Sequence, residues 1–306
     1  MGASVDAYRA DLRRLNDWEP YLKKHSGLPG PRANLELVQA VGDEADADRL
    51  WRLSASSDEF LALCGTAGLG KVALMEPDTV MTWLRELASD PRWRVREGVT
   101  MALQRIGRES MTHLLAEMEA WSGDVPYTQR AAAAGLCETA LLREPAHAVR
   151  VLVILDRITT SLAASTDRRK EDFRVLRQAL GFCWSVAAAA APENALPYFE
   201  KWSRSTDKDV AWVMQSNLDK ARIAGLRDQL AKAEAPVKPK PKSKATAKAM
   251  PKSKSKSKPK PKPKSKPKSK PKAKTMAKPR AKAKPKPKVV ARVTRKAARP
   301  KRRHAR

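Results

Sequence analysis

Residues 90–107 read DPRWRVREGVTMALQRIG, and this stretch decides the fold class. Its apolar residues recur every three or four positions: Val95, Val99, Ala102 with Leu103, and Ile106. This spacing places them on one face of an α-helix, which we expect over 93–108. Asp90 and Pro91 come just before and indicate a helix entry, with the aspartate as the capping oxygen and the proline at the first helical position.

The stretches on both sides show the same spacing, so the chain up to residue 230 is predicted to be helical throughout. Ser56, with Glu59 three positions later, predicts a capping box at the start of one helix. The segment VRVLVIL at 149–155 has the composition of a strand, but it lies inside a longer helical pattern. The further expected helices cover 57–69, 78–88, 111–121, 126–142, 145–160, 168–191, 193–204 and 208–232.

A repeat with a spacing of 34 to 47 residues runs through these helices. Its landmarks are the pairs Val95-Arg96, Gln129-Arg130, Leu176-Arg177 and Val210-Ala211. A helix–turn–helix unit repeated at this spacing is typical of an α-solenoid, in which each unit packs against its neighbours in the chain. The sequence therefore predicts an all-α superhelix.

The first quoted stretch also resembles the second helix of a HEAT repeat, whose pattern is D-P-x-x-x-V-R-x-x-A-x-x-A-L-x-x-I-G. The matching residues are Asp90, Pro91, Val95, Arg96, Leu103, Ile106 and Gly107. Residues 205–223 resemble a terminal unit, with Asp207 and Val210 in the corresponding places. The resemblance covers about 75–225, whereas residues 1–56 are predicted to be helical without a clear repeat. It implies a HEAT-like α-α superhelix that docks a partner.

The charge of the chain is concentrated at its C-terminal end. The whole chain has a formal net charge of +29, and residues 231–306 hold 32 of the 62 lysines and arginines with a single acid, Glu234. Residues 1–230 are therefore close to neutral. Residues 231–306 have no aromatic residue and alternate lysine with proline or serine, so we expect a disordered basic tail after a folded domain at 1–230.

A cationic tail of this kind indicates a polyanionic partner, and we expect duplex DNA, bound without sequence preference. The tail resembles the lysine-, alanine- and proline-rich tails of linker histones and of tailed bacterial nucleoid proteins. RNA is the alternative, because any polyphosphate attracts such a tail, whereas an anionic membrane usually requires an apolar anchor as well. The predicted nucleic-acid-binding residues are Lys252, Lys254, Lys256, Lys258, Lys260, Lys262, Lys264, Lys266, Lys268, Lys270, Lys272, Arg295, Lys296, Arg299, Lys301, Arg302 and Arg303.

A second, weaker candidate for phosphate contact lies on the predicted 93–108 helix. Arg94, Arg105 and Arg108 fall on one side of it, away from the apolar residues. The alternative, which we favour, is that these arginines pair with acidic residues of the neighbouring repeat.

Residues 65–71, GTAGLGK, match most of the phosphate-binding loop of nucleotide hydrolases. Such a loop needs a strand before it and a serine or threonine after its lysine, but here a helical stretch precedes it and Val72 follows Lys71. We therefore expect no nucleotide site, and we interpret the glycines as positions of close helix packing or of a helix end.

The remaining residue types predict no cofactor and no metal site. Cys64, Cys137 and Cys183 lie in apolar surroundings and are expected to be reduced core thiols of an intracellular protein. The four histidines, of which His25 is the first, lie in separate segments without zinc-ligand spacing. No secretory signal or membrane-spanning run is present in the sequence, so we expect a cytoplasmic, nucleoid-associated protein, or a nuclear one in a eukaryote.

One enzymatic alternative remains. HEAT-like DNA glycosylases that repair alkylated bases carry a motif similar to W-x-R-R, which Trp93-Arg94-Val95-Arg96 loosely resembles, and Asp17 beside Trp18 is a candidate for the acidic position. The simpler interpretation makes Trp93 a buried packing residue and Arg96 an arginine that bonds to a neighbouring repeat. We therefore predict a non-enzymatic scaffold whose tail binds DNA, with a glycosylase or an RNA-associated scaffold as alternatives.

Overall fold

The structure, a computed structural model, describes residues 4–234. Every regular element within these residues is a helix, and no strand is found among them. The helices are α1 (Val5–Arg14), α2 (Glu19–His25), α3 (Leu35–Glu44), α4 (Ala47–Ser54), α5 (Glu59–Val72), α6 (Pro77–Leu87), α7 (Trp93–Glu109), α8 (Met111–Trp121), α9 (Pro126–Leu136), α10 (Pro145–Ala164), α11 (Glu171–Ala190), α12 (Pro192–Ser203), α13 (Lys208–Leu218), a short 3-10 helix (Ala221–Ile223) and α14 (Ala224–Glu234).

The helices form two layers. In the first layer α3, α5, α7, α9, α11 and α13 follow one another, and each packs against the next. In the second layer, α6, α8, α10 and α12 each lie against the two first-layer helices that flank them in sequence, and α4 lies against α5. This arrangement of stacked helix pairs is an α-solenoid, so the predicted fold class is confirmed.

The predicted repeat landmarks all fall on first-layer helices. The leading residues of the four pairs are buried, on α7, α9, α11 and α13 respectively: Val95, Gln129, Leu176 and Val210. The period found in the sequence is therefore the distance along the chain from one first-layer helix to the next. Its longest step contains the long helix α10 and the loop before α11.

The helix α5 contains the stretch that resembled a phosphate loop. Its glycines are buried, and each allows a different neighbour to approach. A Cβ atom at Gly65 would lie 2.1 Å from the backbone nitrogen of Ser54 on α4, and one at Gly70 would lie 2.6 Å from the carbonyl oxygen of Ala102 on α7. Lys71 donates to the carbonyl oxygen of Asp43 at 2.8 Å, at the C-terminal end of α3. The interpretation of these glycines as packing positions is confirmed.

The entry into α7 differs from the prediction. Asp90 accepts a hydrogen bond from the backbone N–H of Arg92 at 2.7 Å and forms an ion pair with the Arg92 guanidinium. The helix begins at Trp93, so Pro91 lies before it and not at its first position. The acidic side chain closes a turn ahead of the helix, and the predicted cap at Asp90 is wrong.

The start of α5 is also shifted from its predicted place. Asp58 is the N-cap residue, and its carboxylate accepts from the N–H groups of Phe60 and Leu61. The Ser56 hydroxyl instead accepts from the N–H of Asp58 at 3.1 Å, which closes the turn before the cap. Both residue types cap helices well, but the carboxylate is the one that reaches the free N–H groups here.

The helix expected over 208–232 is broken after Leu218. Asn217 is buried, and its amide donates to the carbonyl oxygen of Leu180 on α11 and accepts from the N–H of Ser185. This polar anchor holds the end of α13 against α11, after which a 3-10 turn redirects the chain into α14. That last helix continues to Glu234, past the boundary predicted at 230.

No helix within residues 4–234 combines the length and the apolar character needed to cross a membrane.

Candidate interaction surfaces

The three arginines proposed as a phosphate-binding face are ion-paired with acidic residues of other elements. Arg94 donates to Glu59 of α5 at 3.0 Å, Arg105 pairs with Asp43 of α3, and Arg108 pairs with Glu138, just after α9. Each guanidinium therefore connects α7 to a different neighbouring element. The alternative that we favoured from the sequence, pairing with acids of the neighbouring repeat, is confirmed for Arg94 and Arg108, whereas Arg105 reaches past α5 to α3.

Arg96 shows the same behaviour in a more buried place. Its side chain is 6% exposed, and it donates to the carbonyl oxygens of Asp90 and Pro91 and to Glu171 at the start of α11. Its guanidinium also lies 4.7 Å from the ring centroid of Tyr127. The interpretation of Arg96 as an arginine that bonds to another repeat is confirmed.

The acidic and basic residues at 167–174 make their main contact with another helix. Arg168 pairs with Asp207 at 2.6 Å and with Asp209 at 2.9 Å, at the N-terminus of α13. The hydrogen bond from Arg168 lowers the pKa of the Asp207 carboxyl, which also caps α13. Because α11 begins only at Glu171, Arg168 joins the turn before α11 to the start of α13.

Trp93 was expected to be a buried packing residue, and the structure contradicts this. Its side chain is 49% exposed at the first position of α7. The Arg94 guanidinium lies 4.6 Å from the centroid of its ring, in a cation–π contact. Trp93 is the first residue of α7, and its ring lies outside the apolar stripe that starts at Val95. Truncating the Trp93 side chain would therefore leave no cavity in the core.

The other residues of the glycosylase hypothesis have structural contacts of their own. Trp18 is buried, and its indole N–H donates to the carbonyl oxygen of Leu12 at 2.9 Å. Asp17 is exposed and accepts from the N–H of Glu19, in the first turn of α2. A groove of about 410 Å³ beside Arg94 contains the carboxylates of Asp58 and Glu59, of which the first caps α5 and the second pairs with Arg94.

A groove that the sequence analysis did not identify lies between α4 and α6. It has a volume of about 530 Å³, and its walls include the partly buried rings of Trp51 and Trp83. The indole N–H of Trp83 donates to the Ser54 hydroxyl at 3.1 Å, which fixes the orientation of that ring. Two exposed carboxylates, Asp78 and Glu86, line the same groove.

The cysteines are core residues, as predicted. Cys64, Cys137 and Cys183 are buried and form no disulfide. Burial raises the pKa of the Cys64 thiol well above its ordinary value, so this group stays protonated at neutral pH. Within residues 4–234 no three metal-ligating side chains come together.

The lysines and arginines predicted to bind nucleic acid, from Lys252 to Arg303, lie outside the described residues. Their assignment stays a prediction.

No family model matches the chain, and no curated protein matches it. Among solved structures it is similar to a designed armadillo repeat protein, YIII(Dq)4CqI, with 14% identity and a TM-score of 0.28 over 67% of this chain and 99% of that one.

Proposed function

We propose that this chain is a DNA-associated scaffold protein without enzymatic activity. In this proposal the solenoid docks a protein partner, and residues 231–306 hold the protein on duplex DNA through contacts with phosphates. RNA is the alternative polyanion. The proposal rests on the distribution of positive charge along the chain.

The supporting observation is that the arginines considered as a phosphate-binding face on α7, and two further arginines that join repeats, already have acidic partners. Arg94, Arg105 and Arg108, together with Arg96 and Arg168, are all paired with carboxylates. A paired guanidinium must give up its partner before it can contact a phosphate, and the partner's negative charge would then repel the DNA. The cations of the tail face one acid, Glu234, in the whole of 231–306.

Lysines separated by uncharged residues suit a contact that ignores base sequence. Each cation that neutralises a phosphate releases condensed counterions, and this release supplies most of the affinity of non-specific binding. Proline keeps such a segment extended, so its charges can follow a line of phosphates. Because the tail has no aromatic residue, base stacking does not contribute to this binding.

The absence of an enzymatic role is part of the proposal. Three of the residues that raised the glycosylase alternative have structural contacts: Arg94 pairs with Glu59, Arg96 bonds to the turn before α7 and to Glu171, and Trp18 packs between α1 and α2. Such engagement supports a structural role for each.

Replacing Arg94, Arg105 and Arg108 by glutamine in the full-length protein is expected to leave its DNA affinity within about twofold of the wild type. If the three arginines were phosphate contacts, the slope of log affinity against log salt would fall by about 2.7. We expect no such change, because their charges are balanced by Glu59, Asp43 and Glu138. Fluorescence anisotropy with labelled duplex DNA measures both quantities.

Circular dichroism of the triple variant provides the control, because the lost ion pairs must not unfold the solenoid. A well-folded variant whose affinity fell by more than about tenfold, with a shallower salt slope, would place the DNA contact on α7.

A further inference from the structure

The two tryptophans in the groove between α4 and α6 differ from the other six in the surroundings of their rings. Four tryptophans carry a cation from this chain over the ring: Trp18 under Arg49, Trp93 under Arg94, Trp202 under Lys201 and Trp212 under Arg177. Trp121 and Trp184 are fully buried. Trp51 and Trp83 are partly exposed, and among residues 4–234 no lysine or arginine lies over either ring.

The carboxylates of this groove are unpaired as well. Asp78 and Glu86 are both exposed, and neither forms an ion pair with any described residue. They contrast with Asp124, Glu119 and Asp156 elsewhere in the molecule, which do have basic partners. Two indole faces and two free carboxylates in one groove form an acceptor for positive charge.

We propose that this groove binds an extended, lysine-bearing segment of a partner protein. The charge of the groove selects a cation, because its carboxylates attract ammonium groups and its rings bind them through cation–π contacts. This inference rests on the proposed docking role of the solenoid and names the chemistry of its partner. It does not depend on the proposed DNA contact of the tail.

The spacing along α6 determines which segment fits. Asp78 and Glu86 are two helical turns apart on one side of α6, which corresponds to about 12 Å along the axis at 1.5 Å per residue. In an extended strand, residues i and i+4 lie on the same side and are about 13 Å apart. Lysines at i and i+4 therefore reach the two carboxylates, and a lysine at i+2 between them lies at Trp51 and Trp83.

The test uses a fluorescein-labelled peptide KSKSKSK, which presents lysine at alternate positions, and the full-length protein. We expect it to bind, and a peptide of the same composition in the order KKKKSSS to bind about fivefold more weakly, because its lysines cannot reach both carboxylates in register. Equal affinity for the two peptides, or no binding of either, would overturn the proposal.

Two variants locate the binding site of the peptide. Asp78→Asn with Glu86→Gln removes both charges without a change of size, and we expect it to weaken KSKSKSK binding about tenfold. Trp51→Leu keeps an apolar side chain but removes the ring, and we expect a loss of about threefold. The matched control, Glu193→Gln with Asp228→Asn, removes the same number of negative charges, but from α12 and α14. We expect it to leave binding of the peptide unchanged.

Two further results separate this proposal from its alternatives. The groove variants are expected to keep the wild-type affinity for duplex DNA, so the failure of one proposal is distinguishable from the failure of the other. Glutamine at every alternating lysine from Lys252 to Lys272 is expected to leave peptide binding unchanged. Markedly tighter peptide binding by that variant would mean that the chain's own lysines occupy the groove, and the assignment to a partner protein would be wrong.

Discussion

A fourfold rise in monovalent salt is expected to weaken the binding of the full-length protein to duplex DNA by about 10⁵-fold, if about ten of its tail cations engage phosphates at once. Each engaged cation contributes about 0.9 to the slope of log affinity against log salt, so ten give a slope of about −9. The tail has 32 cations, so this estimate uses fewer than a third of them. Titrations of labelled duplex DNA at several salt concentrations give the slope directly.

Two altered tails control for this effect. Replacing half of the tail lysines by glutamine is expected to reduce the slope to about half, because fewer counterions are released. Scrambling 231–306 at constant composition is expected to change little, since charge density matters and residue order does not. A steep dependence on tail order, or on the DNA sequence, would contradict a sequence-independent contact.

Gly65→Ala is expected to lower the free energy of unfolding by about 3 kcal/mol, the upper part of the range for overpacked cores. The added Cβ would lie 2.1 Å from the backbone nitrogen of Ser54 and 2.5 Å from the carbonyl carbon of Leu53. Backbone atoms cannot turn away as a flexible side chain can, so α4 and α5 must move apart. This cost outweighs the gain of about 1 kcal/mol that alanine normally brings over glycine inside a helix.

Gly225→Ala is the matched control, because it makes the same change in α14, where no atom lies within 4 Å of the new Cβ. We expect this variant to be more stable by about 0.5 kcal/mol, since alanine restricts the unfolded chain more than glycine does. Urea denaturation followed by circular dichroism measures both variants. A Gly65→Ala protein as stable as Gly225→Ala would show that α4 and α5 are not packed at this distance.

Much of the fold follows from the sequence because a solenoid is built from local contacts. The spacing of Val95, Val99 and Ile106 predicts α7 correctly, and the repeat landmarks at Gln129 and Val210 fall on helices of the same layer. Each helix packs mainly against helices near it in sequence, so the period along the chain is also the period of the structure.

Helix starts were less predictable, since neighbouring residues compete for the same role. Ser56 and Asp58 are both good capping residues, and only the backbone geometry decides that Asp58 caps α5 while Ser56 closes the turn before it. Trp93 illustrates a related limit. A large aromatic residue at a helix start can lie on either side of the apolar stripe, and here it lies on the exposed side under Arg94.

The groove between α4 and α6 could not be identified from the sequence. Trp51 and Trp83 belong to different helices, and nothing in the separate segments indicates that their rings share one groove. The acidic partners of the arginines could not be identified from the sequence for the same reason. The positions of Arg105 and Arg108 on one side of α7 were predictable, but their partners Asp43 and Glu138 come from distant parts of the chain.

The comparison of full-length protein with a fragment of residues 1–234 on the same duplex DNA, at the same salt concentration, tests most directly whether the tail holds this protein on DNA. We expect the fragment to bind at least about a hundredfold more weakly, with a shallow salt slope, because the dense cations of the tail are lost with 235–306. A fragment that bound as tightly as the full-length protein would contradict the proposal and place the DNA-binding surface on the solenoid.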